Sequence, residues 1–166
     1  MAEARKVAWL RADRDELVHA AQTAIAAVAS LLVARLFRLP EAYWAAITTL
    51  IVMQSSLGAA WILSEQRLAG TALGAIAGAL LSAYVGTNVW IFGAGVFVLG
   101  VICALLRINR NAYRYAGITL AIVMLVAHTQ PAWIIAVHRF FEISVGIAVG
   151  LVLTAVWPVT QPMGQS

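Results

Sequence analysis

Residues 43–78 of the chain read YWAAITTLIVMQSSLGAAWILSEQRLAGTALGAIAG, an apolar run with a polar break inside it. The break lies at 54–58, and beyond it a helical pattern resumes with Arg67 and with glycines spaced four residues apart. Interrupted apolar segments are typical of transporters, in which discontinuous helices line the binding site. The backbone groups that a break leaves free must be satisfied by protein or by a water-lined cavity. The stretch therefore predicts a membrane protein whose second span is interrupted.

The composition also indicates a membrane protein, because the 166-residue chain is 63% hydrophobic and only 11% charged. Soluble domains are about 45–50% apolar and about 25% charged. A transmembrane helix takes about 20 apolar residues, so the length holds about six spans and no separate soluble catalytic domain. We expect an all-α polytopic membrane protein with six transmembrane helices. The apolar segments lie at about 17–36, 41–57, 67–86, 89–106, 112–128 and 136–157.

The distribution of charge divides the chain into three parts. These are an N-terminal cytoplasmic or interfacial segment over 1–16, a six-helix transmembrane domain over 17–158, and a short cytoplasmic tail over 159–166. With the N-terminus inside, eight of the 11 Lys and Arg residues fall on the cytoplasmic side, which favours six spans and a cytoplasmic C-terminus. The run at 17–36 is long enough to be a retained helix rather than a signal peptide. Segment 1–16 is either a short interfacial helix or a partner-binding arm.

The first candidate site combines polar and aromatic side chains near the break with a cation in the third segment. The planar guanidinium of Arg67 can pair with a carboxylate, and the Trp44 ring can stack on an aromatic group. Two plainer alternatives stay open: Arg67 is a positive-inside anchor at the cytoplasmic start of the third helix, and the break is a surface loop followed by an interfacial helix. In the functional interpretation, substrate binding is assigned to Trp44, Thr48, Gln54, Arg67 and Thr71.

The second candidate site surrounds Glu142, the one acidic residue inside an apolar segment. Arg139 lies three residues before it and His138 four, so the three side chains can share one helix face. Ionisable residues within membrane spans usually face one another or a cavity. The group is therefore a candidate for proton coupling or substrate contact, and the alternative is a structural Arg–Glu pair near the outer interface.

Small residues recur every four positions on the third and sixth segments, and four residues return nearly to the same face of a helix. Such stripes let a neighbouring helix approach closely. They predict that the third and sixth helices pack together through these stripes, or that the stripes lie at a subunit interface. The packing residues are Gly70, Gly74, Gly78, Gly146 and Gly150.

The remaining reactive residue types form no recognisable site. The chain has one cysteine, which excludes an internal disulfide, and its three histidines lack metal-ligand spacing. No nucleophile elbow or phosphate-binding loop occurs. The net charge of +4 is accounted for by the orientation of the spans and does not indicate nucleic acid. We therefore expect no enzyme activity, no catalytic residue, no metal and no cofactor.

Two motifs together resemble a known family. They are Tyr43-Trp44 … Met53-Gln54-Ser55 … Arg67-x-x-Gly70-Thr71-x-x-Gly74, and Arg139-x-x-Glu142-x-x-x-Gly146 … Gly150 … Trp157-Pro158. The combination resembles the fusaric acid resistance protein-like family of bacterial inner-membrane proteins, which includes the aromatic acid exporters. The resemblance extends over about residues 17–158, nearly the whole chain.

The resemblance implies a six-helix unit in the bacterial inner membrane that exports organic, often aromatic, carboxylates. Larger members resemble two such units flanking a cytosolic domain, and some work with a periplasmic adaptor. Plant malate channels look related in their six-helix part and form dimers with a basic pore between subunits. Because this chain has one unit, the resemblance implies a homo-oligomer. Its implied partners are the lipid bilayer, a small organic anion and a periplasmic adaptor.

Three functions remain open at this point. The first is export of small organic anions, with aromatic carboxylates as the expected class. The second is a passive anion channel at a homo-oligomer interface, which would show voltage-dependent current without a proton gradient. The third is a non-transporting membrane scaffold or assembly partner that uses its glycine stripes to bind a larger protein.

Overall fold

The computed structural model describes the backbone of residues 2–53, 56–126 and 130–157, and the side chains of these ranges from residue 17 onward. Within this part of the chain the regular structure is entirely helical, which confirms the all-α prediction. The six helices are α1 (Ala2–Leu36), α2 (Tyr43–Val52), α3 (Leu57–Tyr84), α4 (Val89–Leu105), α5 (Arg110–Leu125) and α6 (Ala132–Val156).

Among the described residues, three of the six predicted spans are long and apolar enough to cross a bilayer: the Leu17–Leu36 part of α1, α3 and α6. α2 is apolar but has only 10 residues. At a rise of about 1.5 Å per residue it is about 15 Å long, half the thickness of the hydrocarbon core. The interrupted second span is confirmed, because α2 ends at Val52 and α3 begins at Leu57.

α3 begins ten residues before the predicted start of the third segment, at Leu57 rather than at residue 67. Arg67 is therefore the eleventh residue of a 28-residue helix, and its expected position at the start of the helix is wrong. The polar residues Ser64, Glu65 and Gln66, which precede the predicted start of the third segment, are compatible with a helix. Trp61 donates an indole N–H hydrogen bond of 2.7 Å to the Glu65 carboxylate one turn later. The interfacial helix considered for this stretch is the first part of α3.

The backbone of α1 continues without interruption from Ala2 to Leu36, so residues 2–16 form one helix with 17–36.

α1 and α4 end in the same unusual backbone conformation. Two residues beyond the end of each helix, Arg38 and Arg107 adopt φ angles of 55° and 53°. This left-handed conformation ends a helix and turns the chain sharply, and it is uncommon for residues other than glycine.

The two long helices α3 and α6 form the centre of the bundle and run antiparallel. Leu68 of α3 packs on the buried cluster that contains Ile143 of α6, and Ala75 of α3 shares a second cluster with Ala136 of α6. Each central helix has a shorter companion, since α3 packs along α5 and α6 packs along α2.

Glycines bring each central helix into contact with the backbone of its companion. A Cβ atom added at Gly74 would overlap the carbonyl oxygen of Ala116 in α5, and one added at Gly146 would overlap that of Ala45 in α2. The two glycine stripes thus lie in two separate helix pairs inside the chain, where small residues permit close approach. The other predicted packing residues face the same partners: Gly70 and Gly78 face α5, and Gly150 faces α2.

Candidate functional site

The contact between α2 and α6 carries a buried ionic cluster around Arg139. The Glu41 carboxylate, at the turn before α2, pairs with the Nη2 atom of Arg139. The Nη1 atom of Arg139 lies 3.4 Å from Oε2 of Glu142, one turn further along α6. Oε1 of Glu142 accepts a 2.9 Å hydrogen bond from the backbone N–H of Glu41. The guanidinium is therefore held between two carboxylates.

The cluster is almost completely removed from solvent. The side chains of Arg139 and Glu142 are 2% and 1% exposed, whereas that of Glu41 is 27% exposed. Buried charges in such positions are retained only when they are paired and hydrogen-bonded. Arg139 and Glu142, which the sequence predicted as one group, are brought together. Glu41 completes the cluster, and no local sequence pattern connects it with Arg139.

Trp44 belongs to this cluster, and Thr48 lies on the same α2–α6 contact, rather than in the surroundings of Arg67. The guanidinium carbon of Arg139 lies 4.4 Å from the centre of the Trp44 ring, a cation–π arrangement. Thr48 is fully buried, its hydroxyl donates to the carbonyl of Trp44 over 2.8 Å, and its Cβ lies against Gly146. Trp44, which was assigned to substrate binding, therefore packs against the predicted proton-coupling group, and Thr48 packs on α6 one turn beyond Glu142.

A cavity of about 170 Å³ opens beside Arg139. His138 lines it, together with Glu41 and Gln130. The Nε atom of Arg139 has no hydrogen-bond partner among the described residues, and Nη1 of Arg139 and Oε2 of Glu142 have no hydrogen-bond partner beyond their own ion pair at 3.4 Å. Polar atoms of this kind beside a cavity large enough for several water molecules can bind water or a ligand.

Arg67 forms a second buried cationic centre on α3. Its side chain is 5% exposed, and its guanidinium carbon lies 4.8 Å from the centre of the Tyr115 ring on α5. No carboxylate of the described residues lies within ion-pair distance of Arg67. A buried guanidinium without an acidic partner is costly, because it stays protonated at all ordinary pH values.

Two hydroxyl groups flank Arg67 on the same helix face. Thr71 lies one turn after it and Ser64 one turn before it, and they are 1% and 3% exposed. The Oγ1 atom of Thr71, the Oγ atom of Ser64 and the Nε atom of Arg67 have no hydrogen-bond partner among the described residues. The predicted binding residue Gln54 lies outside the described residues. Arg67 and Thr71 are thus brought together, with Ser64 and Tyr115 as residues that the sequence did not single out.

The profile of the fusaric acid resistance protein-like family matches residues 25–153. The chain belongs to this family. The matched range contains both arginine centres and all six helices in part or in full. The fusaric acid resistance protein-like assignment and the three long apolar helices together describe a multi-pass membrane protein.

The family relatives with curated names are bacterial membrane proteins. "Uncharacterized transporter YdhK" of Escherichia coli strain K12 is 30% identical over 163 residues, which are 93% of this chain and 24% of the relative. "Inner membrane protein YeeA" of the same strain is 28% identical over 151 residues, which are 86% of this chain and 41% of the relative. The chain therefore spans about a quarter of the length of YdhK. No solved structure matches the chain.

The described residues of this family member contain no group of three His, Cys, Asp or Glu side chains that could hold a metal ion. The two arginine centres offer ion pairing and hydrogen bonding. One centre holds an arginine with two carboxylates, and the other holds an arginine with an aromatic ring and hydroxyl groups.

Proposed function

We propose that this chain is the membrane unit of a transporter that exports small organic anions, with carboxylates as the recognised group. Its family and the printed name of its relative, "Uncharacterized transporter YdhK", support transport across a membrane. The single observation that carries the proposal is the buried guanidinium of Arg67, which has no carboxylate of the described residues within ion-pair distance.

The argument from Arg67 is electrostatic. Ionisable residues inside membrane helices are costly and usually mark substrate or ion pathways. Arg67 lies well inside α3, a helix long enough to span the bilayer. An anionic ligand would supply the missing counter-charge, and a carboxylate matches the two parallel N–H donors of a guanidinium.

The groups around Arg67 favour a carboxylate that carries an aromatic or apolar body. The guanidinium carbon of Arg67 lies over the Tyr115 ring. Arg67 can therefore bind a carboxylate at its edge while the remainder of the ligand packs near the ring. The hydroxyl groups of Thr71 and Ser64 would then add hydrogen bonds.

The Arg139 cluster is proposed as the coupling group of this transporter. Two carboxylates, those of Glu41 and Glu142, lie against one guanidinium in this cluster. A proton that enters the cluster beside His138 would neutralise one of these carboxylates. Coupling of anion export to proton movement is the expected consequence.

We propose further that the protein lies in the bacterial inner membrane with both termini in the cytoplasm, and that it is a homo-oligomer. An excess of Lys and Arg on the cytoplasmic side supports the orientation. Molecular mass in nanodiscs, measured by mass photometry, tests the oligomer, and a monomer would contradict it. We also propose a periplasmic adaptor as a partner of this protein. Capture of such an adaptor by cross-linking in intact cells tests this partnership.

Flux through proteoliposomes tests the function. Purified protein is reconstituted with benzoate, a minimal aromatic carboxylate, inside the vesicles and a proton gradient across the membrane. We expect benzoate efflux that the Arg67→Gln variant loses and that the matched surface variant Arg110→Gln retains, since Arg110 is exposed at the start of α5. Equal flux in both variants would contradict the site. Current that follows voltage without a proton gradient would instead indicate a channel, and a stable partner with no flux would indicate a scaffold.

A further inference from the structure

The chain contains two copies of one three-helix unit, and the repeat is visible first in the sequence. Residues 41–53 (EAYWAAITTLIVM) and 112–124 (AYRYAGITLAIVM) are identical at six of 13 positions. Residues 60–84 and 132–156 are identical at eight of 25 positions, and both begin with Ala-Trp-Ile. Self-similarity at a fixed spacing is the sign of an internal repeat. We call α1–α3 the N-terminal copy and α4–α6 the C-terminal copy.

The structure supports the same correspondence. The left-handed residues Arg38 and Arg107 end the first helix of each copy. The short middle helix follows in each, and the long helix closes each copy. Because each copy has three helices, the C-terminal copy crosses the membrane in the opposite direction to the N-terminal copy, as in transporters built from inverted repeats. The antiparallel pairing of α3 and α6 agrees with this relation.

The contacts between the copies also correspond. The long helix of each copy packs on the middle helix of the other, through Gly74 against Ala116 and through Gly146 against Ala45. Arg67 and Arg139 occupy equivalent positions, 72 residues apart. Each lies over an aromatic ring of the other copy's middle helix, at 4.8 Å from Tyr115 and at 4.4 Å from Trp44. The two arginine centres are therefore two versions of one site.

The versions differ in their carboxylates. The same alignment places Gly70 where the C-terminal copy has Glu142, and Ala112 where the N-terminal copy has Glu41. We propose that Arg139 forms a second carboxylate-binding site and that Glu41 occupies it as a tethered internal ligand. The proposal rests on the proposed function in treating the equivalent Arg67 as a carboxylate-binding group.

Glu41, rather than Glu142, is the carboxylate that an external anion would replace. Glu142 is 1% exposed, lies within α6 and accepts a hydrogen bond from the backbone N–H of Glu41. Glu41 lies in the connection between α1 and α2, is 27% exposed and lines the cavity. The cavity thus gives access to the guanidinium from the side that Glu41 covers. Arg139 already accommodates two carboxylates, so exchange of one for a ligand leaves the charge of the cluster unchanged.

Binding stoichiometry tests the proposal. The full chain in nanodiscs is titrated with benzoate by isothermal titration calorimetry, as wild type and as Glu41→Gln. We expect Glu41→Gln to bind one more benzoate per chain than the wild type. The additional binding should disappear in the double variant Glu41→Gln/Arg139→Gln. Glu65→Gln is the matched control, because Glu65 is exposed and hydrogen-bonded to Trp61, and it should bind as the wild type does.

The outcomes separate this proposal from the proposed function. In one outcome, Arg67→Gln loses the benzoate that the wild-type protein binds while Glu41→Gln binds no additional benzoate. That result would overturn the proposal that Glu41 is an internal ligand, and it would leave the Arg67 site standing. An additional benzoate in Glu41→Gln, with none in the wild type, would support the internal ligand and contradict the Arg67 site. If Glu41→Gln is not recovered in monodisperse form, Glu41→Ala is titrated instead. Unchanged stoichiometry in a folded Glu41 variant overturns the proposal.

Discussion

Arg67 of the N-terminal copy and Tyr115 of the C-terminal copy lie against each other, with the guanidinium carbon 4.8 Å from the ring centre. The ring face offers negative potential but no full charge. Arg139, at the equivalent position over Trp44, is held by two carboxylates as well. The two arginines should therefore respond in opposite ways when their charge is removed.

Removal of the Arg139 charge is expected to destabilise the protein strongly. Arg139→Met leaves Glu41 and Glu142 close together in a buried place without a cation. Loss of one partner of a buried ion pair costs about 3–5 kcal/mol. Thermal unfolding in detergent should show a clear fall in Tm. Glu65→Gln removes an exposed hydrogen bond and should change the stability by less than about 0.5 kcal/mol. An unchanged Tm in Arg139→Met would mean that the cluster does not form.

Removal of the Arg67 charge is expected to preserve or raise stability. Arg67→Met exchanges a buried cation without a described acidic partner for an apolar side chain of similar length. Hydrophobic replacement of buried charges is often neutral or stabilising by about 1–4 kcal/mol. The same variant should lose benzoate flux in proteoliposomes. A fall in Tm comparable to that of Arg139→Met would indicate that Arg67 has a structural partner in the protein.

The glycines that touch the neighbouring backbone should not tolerate a side chain. Gly146→Val inserts three carbon atoms where even a Cβ would overlap the Ala45 carbonyl. Overpacking of a tight contact costs about 1–3 kcal/mol. Gly93→Ala is the matched control, because a Cβ there meets no atom within 4 Å and alanine favours a helix. Comparison of the two Tm values tests the α2–α6 contact, and equal values would contradict it.

The inverted arrangement predicts which connections lie on opposite sides of the membrane. In a Cys103→Ser background, Thr87→Cys marks the α3–α4 connection and Leu106→Cys marks the end of α4. We expect a membrane-impermeant maleimide applied to intact spheroplasts to label position 87, and to label position 106 only after permeabilisation. Labelling of both positions in intact spheroplasts would mean that α4 does not cross the bilayer.

The helical class and the interrupted second segment could be predicted from the sequence, since both follow from apolar run lengths and from the polar residues at 54–58. The start of α3 could not, because the third apolar segment begins only after the polar residues Ser64, Glu65 and Gln66, although glutamate and glutamine are good helix formers. Polarity alone does not separate a loop from a helix that carries polar residues into a packed interior. Arg67 was for that reason expected at a helix start rather than inside a helix.

Of the two carboxylates that pair with Arg139, only Glu142 was predicted from the sequence. Glu142 lies one turn away on the same helix, so helical spacing was sufficient to place it. Glu41 lies 98 residues earlier, and no local pattern connects it with α6. The repeated Ala-Trp-Ile and Ile-Val-Met elements were the signal that would have aligned α2 with α5 and α3 with α6. That alignment makes Trp44 equivalent to Tyr115 and Arg67 equivalent to Arg139, whereas the contact of each arginine with the ring of the other copy is visible only in the structure.

The exchange of partners between the copies has a consequence for biosynthesis. The long helix of the N-terminal copy packs on α5, and the middle helix of that copy packs on α6. When α3 leaves the ribosome, neither its glycine face nor its buried arginine can reach its final neighbour. Insertion of the first three helices must therefore be followed by rearrangement within the bilayer once the later helices arrive. A chaperone or insertase that shields α3 during this interval would act on an intermediate rather than on the finished protein.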